Sequence, residues 1–232
     1  MFSNVFLAMT GGELEEFTPK KAAYLACHFS PCGKGLSNLP QNLPEESLLL
    51  LDDSMPPNGH DPNTVISTLK ELADQFSIKA VLLDFQNEKA KETECMASAI
   101  LQALPCPVAV TEVYARDLGC PVFLSPPPAN RSLRRHLAPW LQQGVFLEIA
   151  PEHLEITVTE HGSVFRSLPM NTPQNLPLTD NTLHCHYSVS VIQQEAVFTL
   201  ERTKEDLSAL VHEAYQAGVL GAVGLYQELI RL

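Results

Sequence analysis

Several signatures are missing from this 232-residue chain, and each absence removes a class of function. No G-x-S-x-G, H-E-x-x-H or G-x-G-x-x-G occurs, and His212-Glu213 has Gln216 where a zinc helix needs its second histidine. The strained nucleophile elbow, the metallopeptidase helix and the dinucleotide turn are thereby disfavoured, and no cofactor is expected. No C-x-x-C pair occurs among Cys27, Cys32, Cys95, Cys106, Cys120 and Cys185. A chain of this size does not need disulfides, so reduced and mostly buried thiols are expected. No apolar run approaches the ~18 residues of a membrane span. The first nine residues carry no positive charge ahead of an apolar stretch of about six, which fails the pattern of a secretory signal. These absences favour a cytoplasmic protein.

Positive charge is also scarce. Against 27 acidic residues stand 15 basic ones, a net charge of −12, so nucleic acid and anionic membranes would be repelled by the overall field. The only tight basic cluster, Arg131, Arg134 and Arg135, reads as a solvated helix face. Glycine (11) is rarer than proline (18), which implies stiff, defined loops rather than disorder. The length suits one sizeable core better than two independent domains.

What is present is a series of short apolar runs, at residues 22–29, 48–51, 80–83, 108–111, 122–124, 145–149 and 222–226. Several are continuous rather than alternating, the mark of strands covered on both faces. Between the second and third, Val65, Ile66, Leu69, Leu72, Ala73 and Phe76 make one helical stripe, with Asp61 as N-cap and Pro62 at the first helical position. A second helix places Met96, Ala97, Ile100, Leu101 and Leu104 inward and ends before Pro105; a third is capped by Thr203 and closed by Gly218. Alternating strands and helices predict α/β architecture: a small, irregular (β/α) TIM-like barrel. The seven residues 114–120 are too few for an ordinary crossover. Either a helix is reduced there or the flanking strands are not parallel neighbours.

After residue 150 the pattern changes. Residues 154–159 and 163–168 flank Glu160-His161-Gly162 as a hairpin, and 183–191 with 196–201 make a second around Gln193-Gln194. A linker rich in proline and asparagine, 169–181, separates them. Residues 1–232 are thus expected to form one barrel-like domain, with 151–201 as a β-hairpin insertion or subdomain.

Parallel barrel strands share one rim at their C-terminal ends, where such folds keep their chemistry. Standing there are Asp52, Asp53, Asp84, Gln86, Glu112, Glu148, Tyr226 and Glu228. Converging carboxylates serve glycoside hydrolysis and metal-assisted hydrolysis alike, one protonating or positioning and another stabilising charge. Asp84, Glu112 and Glu148 are the catalytic candidates; Asp52, Asp53, His60, Gln86, Tyr226 and Glu228 are the ligand-binding ones. His60 would fold back over the rim and would need Asp53 or Asp61 to orient it. Residues 30–35, with Gly33, Lys34 and Gly35, lack the spacing of a phosphate loop. Cys27, His28 and Cys32 with His184, Cys185 and His186 have zinc-ligand chemistry, but C-x₄-C is not a recurrent zinc motif, and no metal is expected.

Leu83-Asp84-Phe85-Gln86 resembles the end of the D-x-x-D-x-D-x-E strand motif of family 18 glycoside hydrolases, the chitinase-like barrels. Residues 222–226 are similar to their closing strand, which brings an aromatic residue to the sugar site. The chain departs from the motif at Lys79 and Leu82, in the places of the first and middle aspartates, and at Gln86, in the place of the catalytic glutamate. That glutamate protonates the leaving oxygen, and an amide has no proton to give at neutral pH. The resemblance therefore implies a barrel that has lost this chemistry and keeps glycan binding through Asp84, Gln86 and Tyr226.

Binding of a carbohydrate or small polar ligand at the rim is accordingly the leading expectation, with no nucleic-acid or membrane partner and no signal for oligomeric state. Two alternatives stand beside it. One is an active hydrolase or lyase using Asp52, Asp53, His60 and Asp84, with or without a divalent metal. The other is a non-enzymatic interaction protein that works through the hairpins after residue 150.

Overall fold

The computed structural model describes residues 4–128, 130–169, 175–192 and 195–232. In chain order these form β1 (Val5–Met9), α1 (Gly11–Glu16), β2 (Ala22–Phe29), β3 (Leu36–Ser37), β4 (Leu48–Asp52), α2 (Pro62–Phe76), β5 (Ala80–Asp84), α3 (Lys91–Ala103) and β6 (Val108–Thr111). Then come α4 (Glu112–Leu118), β7 (Val122–Leu124), α5 (Leu133–Leu137) and β8 (Val145–Glu148). The remainder is β9 (His153–Thr159), β10 (Gly162–Ser167), β11 (Leu178–Asp180), β12 (Cys185–Ile192), β13 (Glu195–Glu201), α6 (Lys204–Gln216), β14 (Gly221–Leu225) and α7 (Tyr226–Leu229).

Strands β1, β2, β4, β5, β6, β7, β8 and β14 pair in parallel in that order, and β14 returns to β1, closing a barrel. The strand that closes it, β1, comes from the N-terminal apolar stretch, which the sequence analysis weighed only as a signal peptide. The short 114–120 spacing resolves as the reduced helix α4, and β6 and β7 are parallel neighbours. Among the described residues no helix is long and apolar enough to cross a membrane.

Side chains divide between two cores. Leu48 and Leu50 of β4, Ala80 and Leu82 of β5, and Phe6, Phe123 and Phe146 pack together inside the barrel. Leu49, Leu51, Val81 and Leu83 join the larger layer under the helices, against Val65 and Leu69 of α2 and Met96 and Ile100 of α3. Both faces of each strand are dry, which is why the runs are continuous rather than alternating. At about 1.5–3 kcal/mol per fully buried aliphatic side chain, this double layer is the main source of stability. Lys21 and Lys79 each hold Nζ 5.3 Å from the centre of the Phe6 ring. Lys79 thus stands at the N-terminal end of β5, far along the strand from the rim.

The hairpins join into one five-stranded antiparallel sheet, ordered β10-β9-β13-β12-β11, set between β8 and α6. Pairing of His153 with Glu201 brings the start and end of the insertion side by side. The first hairpin turns at Glu160-His161, as expected; the turn residues 193–194 of the second lie outside the described residues. Of the expected linker, 170–174 also lies outside them, and 178–180 is strand β11 rather than loop.

Arg202 anchors this sheet. Only 2% exposed, it pairs through Nη1 with Glu152 and donates to the carbonyl of Pro127, each at 2.8 Å, while Nη2 donates to the carbonyl of Leu183. One side chain thereby ties the β7 loop, the entry to β9 and the turn before β12.

Candidate functional site

Inward positions recur every second residue along a strand. The series Leu48-Leu50 continues to Asp52, Ala80-Leu82 to Asp84, and Phe146 to Glu148, so each strand delivers one carboxylate at the barrel mouth. These three acids, with Ala8, Leu25, Leu50, Phe123, Val223 and Leu225 among the other walls, line a cavity of about 110 Å³. Asp52 and Asp84 are register partners on neighbouring strands. Among the described residues no lysine or arginine lines the cavity.

Charge is therefore held back at the mouth. Burial pushes the Asp84 carboxyl up; the Gln86 amide, donating to Asp84 Oδ1 at 2.8 Å, opposes this, and the charges of Asp52 and Asp53 add to it. Glu148 goes further, raised to about 7, chiefly by burial and then by Asp84 and Glu228. Near neutral pH Glu148 is shared between a form that donates a hydrogen bond and one that only accepts, whereas Ser54 donates to Asp52 through its backbone N–H at 2.9 Å and through its hydroxyl.

Asp53 points away from the mouth. It is buried, and its two carboxylate oxygens accept the backbone N–H groups of Gln86 (3.0 Å) and Asn87 (3.1 Å), while Asn87 donates its side-chain amide to the Asp53 carbonyl. These bonds hold the loop that carries Gln86, and Asp53 is not among the described lining of the cavity. Asp53→Asn keeps the shape but loses charge and one acceptor, and is expected to cost about 2 kcal/mol in urea denaturation. An unchanged midpoint would contradict the bracing role.

The other sequence candidates scatter. Glu112 opens α4 and is exposed, outside the cavity. Tyr226 stacks on Phe17, ring centroids 5.7 Å apart and planes 13° from parallel, and Leu225 rather than Tyr226 is what β14 presents to the mouth. Glu228 acts on the mouth only through its field at Glu148. His60 is held by backbone carbonyls, Nε2 3.0 Å from that of Ser30 and Nδ1 3.2 Å from that of Pro57, with Phe29 edge-on at 5.3 Å. Among the described residues no carboxylate bonds to it; it fastens the 54–61 loop to the end of β2. Phe123 was missed by the sequence analysis, although the alternation Val122-Phe123-Leu124 placed it inward.

Among the described residues no group of three or more His, Cys, Asp or Glu is arranged to hold a metal. His184 pairs with Glu213 and His186 with Asp206 at 2.8 Å each, Cys185 is buried, and Cys32 Sγ lies 2.9 Å from the Ser30 hydroxyl. Loop 30–35 closes on itself, Ser30 N–H donating to the Gly35 carbonyl and Gly33 N–H to that of Ser30, with no helix behind it.

No family model and no curated protein matches the chain. Solved structures match its fold. A mutant GH18 chitinase from Cycas revoluta in complex with (GlcNAc)4 superposes with a TM-score of 0.59 at 9% identity, over 95% of this chain and 94% of that one. A chitinase-like agglutinin from Robinia pseudoacacia gives 0.56 at 13% identity, over 93% and 90%. The spore cortex-lytic enzyme SleL of Bacillus cereus gives 0.51 at 10% identity over 89% of this chain, which spans 63% of that enzyme's length. Identities this low carry the fold alone.

Proposed function

From a chitinase-like barrel whose fourth strand runs into Gln86, we propose that the chain binds a glycan or small polar ligand across the barrel mouth without the hydrolysis of family 18. The observation that carries this is the Gln86 amide bonded to Asp84 Oδ1 at 2.8 Å, where that family's motif has its acid. An amide positions a ligand oxygen or amide group but cannot protonate a leaving group. A cavity of about 110 Å³ is smaller than the ~300–1,000 Å³ of ordinary ligand pockets, so it takes one functional group of a ligand lying over the rim. The complex of the mutant Cycas revoluta chitinase with (GlcNAc)4 supports the choice of glycan. All six cysteines are free, which supports a cytoplasmic setting.

Gln86→Glu restores the missing acid, and cleavage of a chromogenic N-acetylglucosaminide by that variant, with none by the parent, is the expected result. Asp84→Ala is expected to weaken (GlcNAc)4 binding about tenfold in calorimetric titration. Turnover by the unmodified protein that survives in both Asp84→Asn and Gln86→Ala would overturn the assignment of this site.

A second reading is favoured by Glu148, whose carboxyl is raised to about 7 beside Asp84. Carboxyls converging in one cavity are the arrangement of general acid–base chemistry, with Glu148 as the proton donor and Asp84 or Asp52 as its partner. Hydrolysis lost in Glu148→Gln but retained in Gln86→Ala would favour that reading over pure binding.

A further inference from the structure

The crossover from β2 to β4 contains no helix; β3 and the strap at 38–47 take its place. The outer wall of β2 at Tyr24 and Ala26 is therefore left under a cavity of about 410 Å³, between α1 and the strap, larger than the mouth and within the range of small-molecule sites. Both walls are braced. Thr10 and Glu13 form a reciprocal capping box at the start of α1, and the Tyr24 hydroxyl donates to the Asn38 carbonyl at 2.7 Å. Asn38, Gln41 and Asn42 line the space, and no other described residue engages any of their side-chain amides. Leu14 and Leu39 supply apolar surface, Gly11 and Gly12 expose backbone, and among the described residues Glu15 is the one charged side chain in the lining.

Three amides offer paired donors and acceptors without net charge, a set that matches vicinal hydroxyls and acetamido groups and gives an anion no cationic partner. We propose that this cleft is a saccharide-binding site, separate from the barrel mouth and taking an uncharged sugar residue between Asn38, Gln41 and Asn42. Leu14 and Leu39 would pack against the sugar's apolar face, and the Tyr24 bond keeps the strap in place before the ligand arrives, which lowers the ordering cost of binding.

The test is titration of the ¹⁵N-labelled full chain with (GlcNAc)4 and with cellotetraose, following side-chain NH₂ signals of Asn38, Gln41 and Asn42 alongside backbone signals of Asp84 and Gln86. Saturable shifts at the three amides are expected with at least one of the two sugars. In the Gln41→Ala/Asn42→Ala double variant the remaining signal, that of Asn38, should need about tenfold more sugar to saturate, and all three should persist in Asp84→Ala. Shifts confined to Asp84 and Gln86 overturn the cleft proposal while leaving the mouth reading intact; silence at both places overturns both. Cleft shifts indifferent to the double variant, or produced by an uncharged tetrapeptide and by neither sugar, also overturn it.

Discussion

Arg202→Ala is expected to lose about 3–5 kcal/mol of stability, the largest effect of any substitution considered for this chain. The guanidinium is 2% exposed and satisfies carbonyls of Pro127 and Leu183 while neutralising Glu152. Removing it leaves a carboxylate on a partly desolvated site and two carbonyls without their donor. Those contacts join segments distant in sequence, so the loss should fall first on the antiparallel sheet rather than on the barrel. Hydrogen exchange should show β9, β12 and β13 losing protection while β4 and β5 keep theirs. Arg202→Met, which restores volume but not charge, should recover only a minor part. Uniform loss of protection across both sheets would show instead that insertion and barrel unfold as one unit.

Glu148→Gln is expected to stabilise the protein by about 2–3 kcal/mol at pH 8 and to change little at pH 4. Its carboxyl rises from 4.5 to about 7 on folding, chiefly through burial. For a group so raised the folded state holds its proton longer than the unfolded state. Its contribution is therefore complete below about pH 4.5, falls as pH increases, and is lost above about pH 7. Asp84, raised for the same reason, works in the same direction. The amide removes the ionisation while keeping size, so subtracting the variant's pH–stability curve from the parent's gives the ionisation of Glu148 together with its coupling to Asp84 and Glu228. Parallel curves from pH 4 to 8 would show that Glu148 ionises in the fold as it does in water. A buried carboxyl that weakens the folded state above neutrality is a candidate for binding or proton transfer, and the same substitution also separates the two functional readings.

Much of the architecture was legible in local pattern. Residues 48–51 and 80–83 announce buried parallel strands because both faces are covered, and Asp61-Pro62 marks the start of α2 because the cap and the fixed proline φ act within one turn. The hairpin around Glu160-His161 is equally local. Strand β1 was not legible as a strand, because an N-terminal apolar stretch has the same composition whether it pairs with β14 or is a leader. The alternation of β4, β5 and β8 extends through Asp52, Asp84 and Glu148, and the structure brings these three into one cavity. The alternation stops one step beyond the strand: Asp53 turns inward to brace the next loop, and Tyr226 begins α7 and stacks on Phe17.

Taken alone, the sequence determined the (β/α) order, the strand that ends in Asp84 and the amide of Gln86 two residues beyond it, because each depends on residues within a few positions of one another. Only the tertiary structure decided that β14 closes on β1, that three acids from β4, β5 and β8 share a cavity without a cation, and that Arg202 holds the insertion to the barrel. These are consequences of register and closure. They bring together groups tens of residues apart, and with them the burial that moves Glu148 to about 7, a property no short stretch of chain contains.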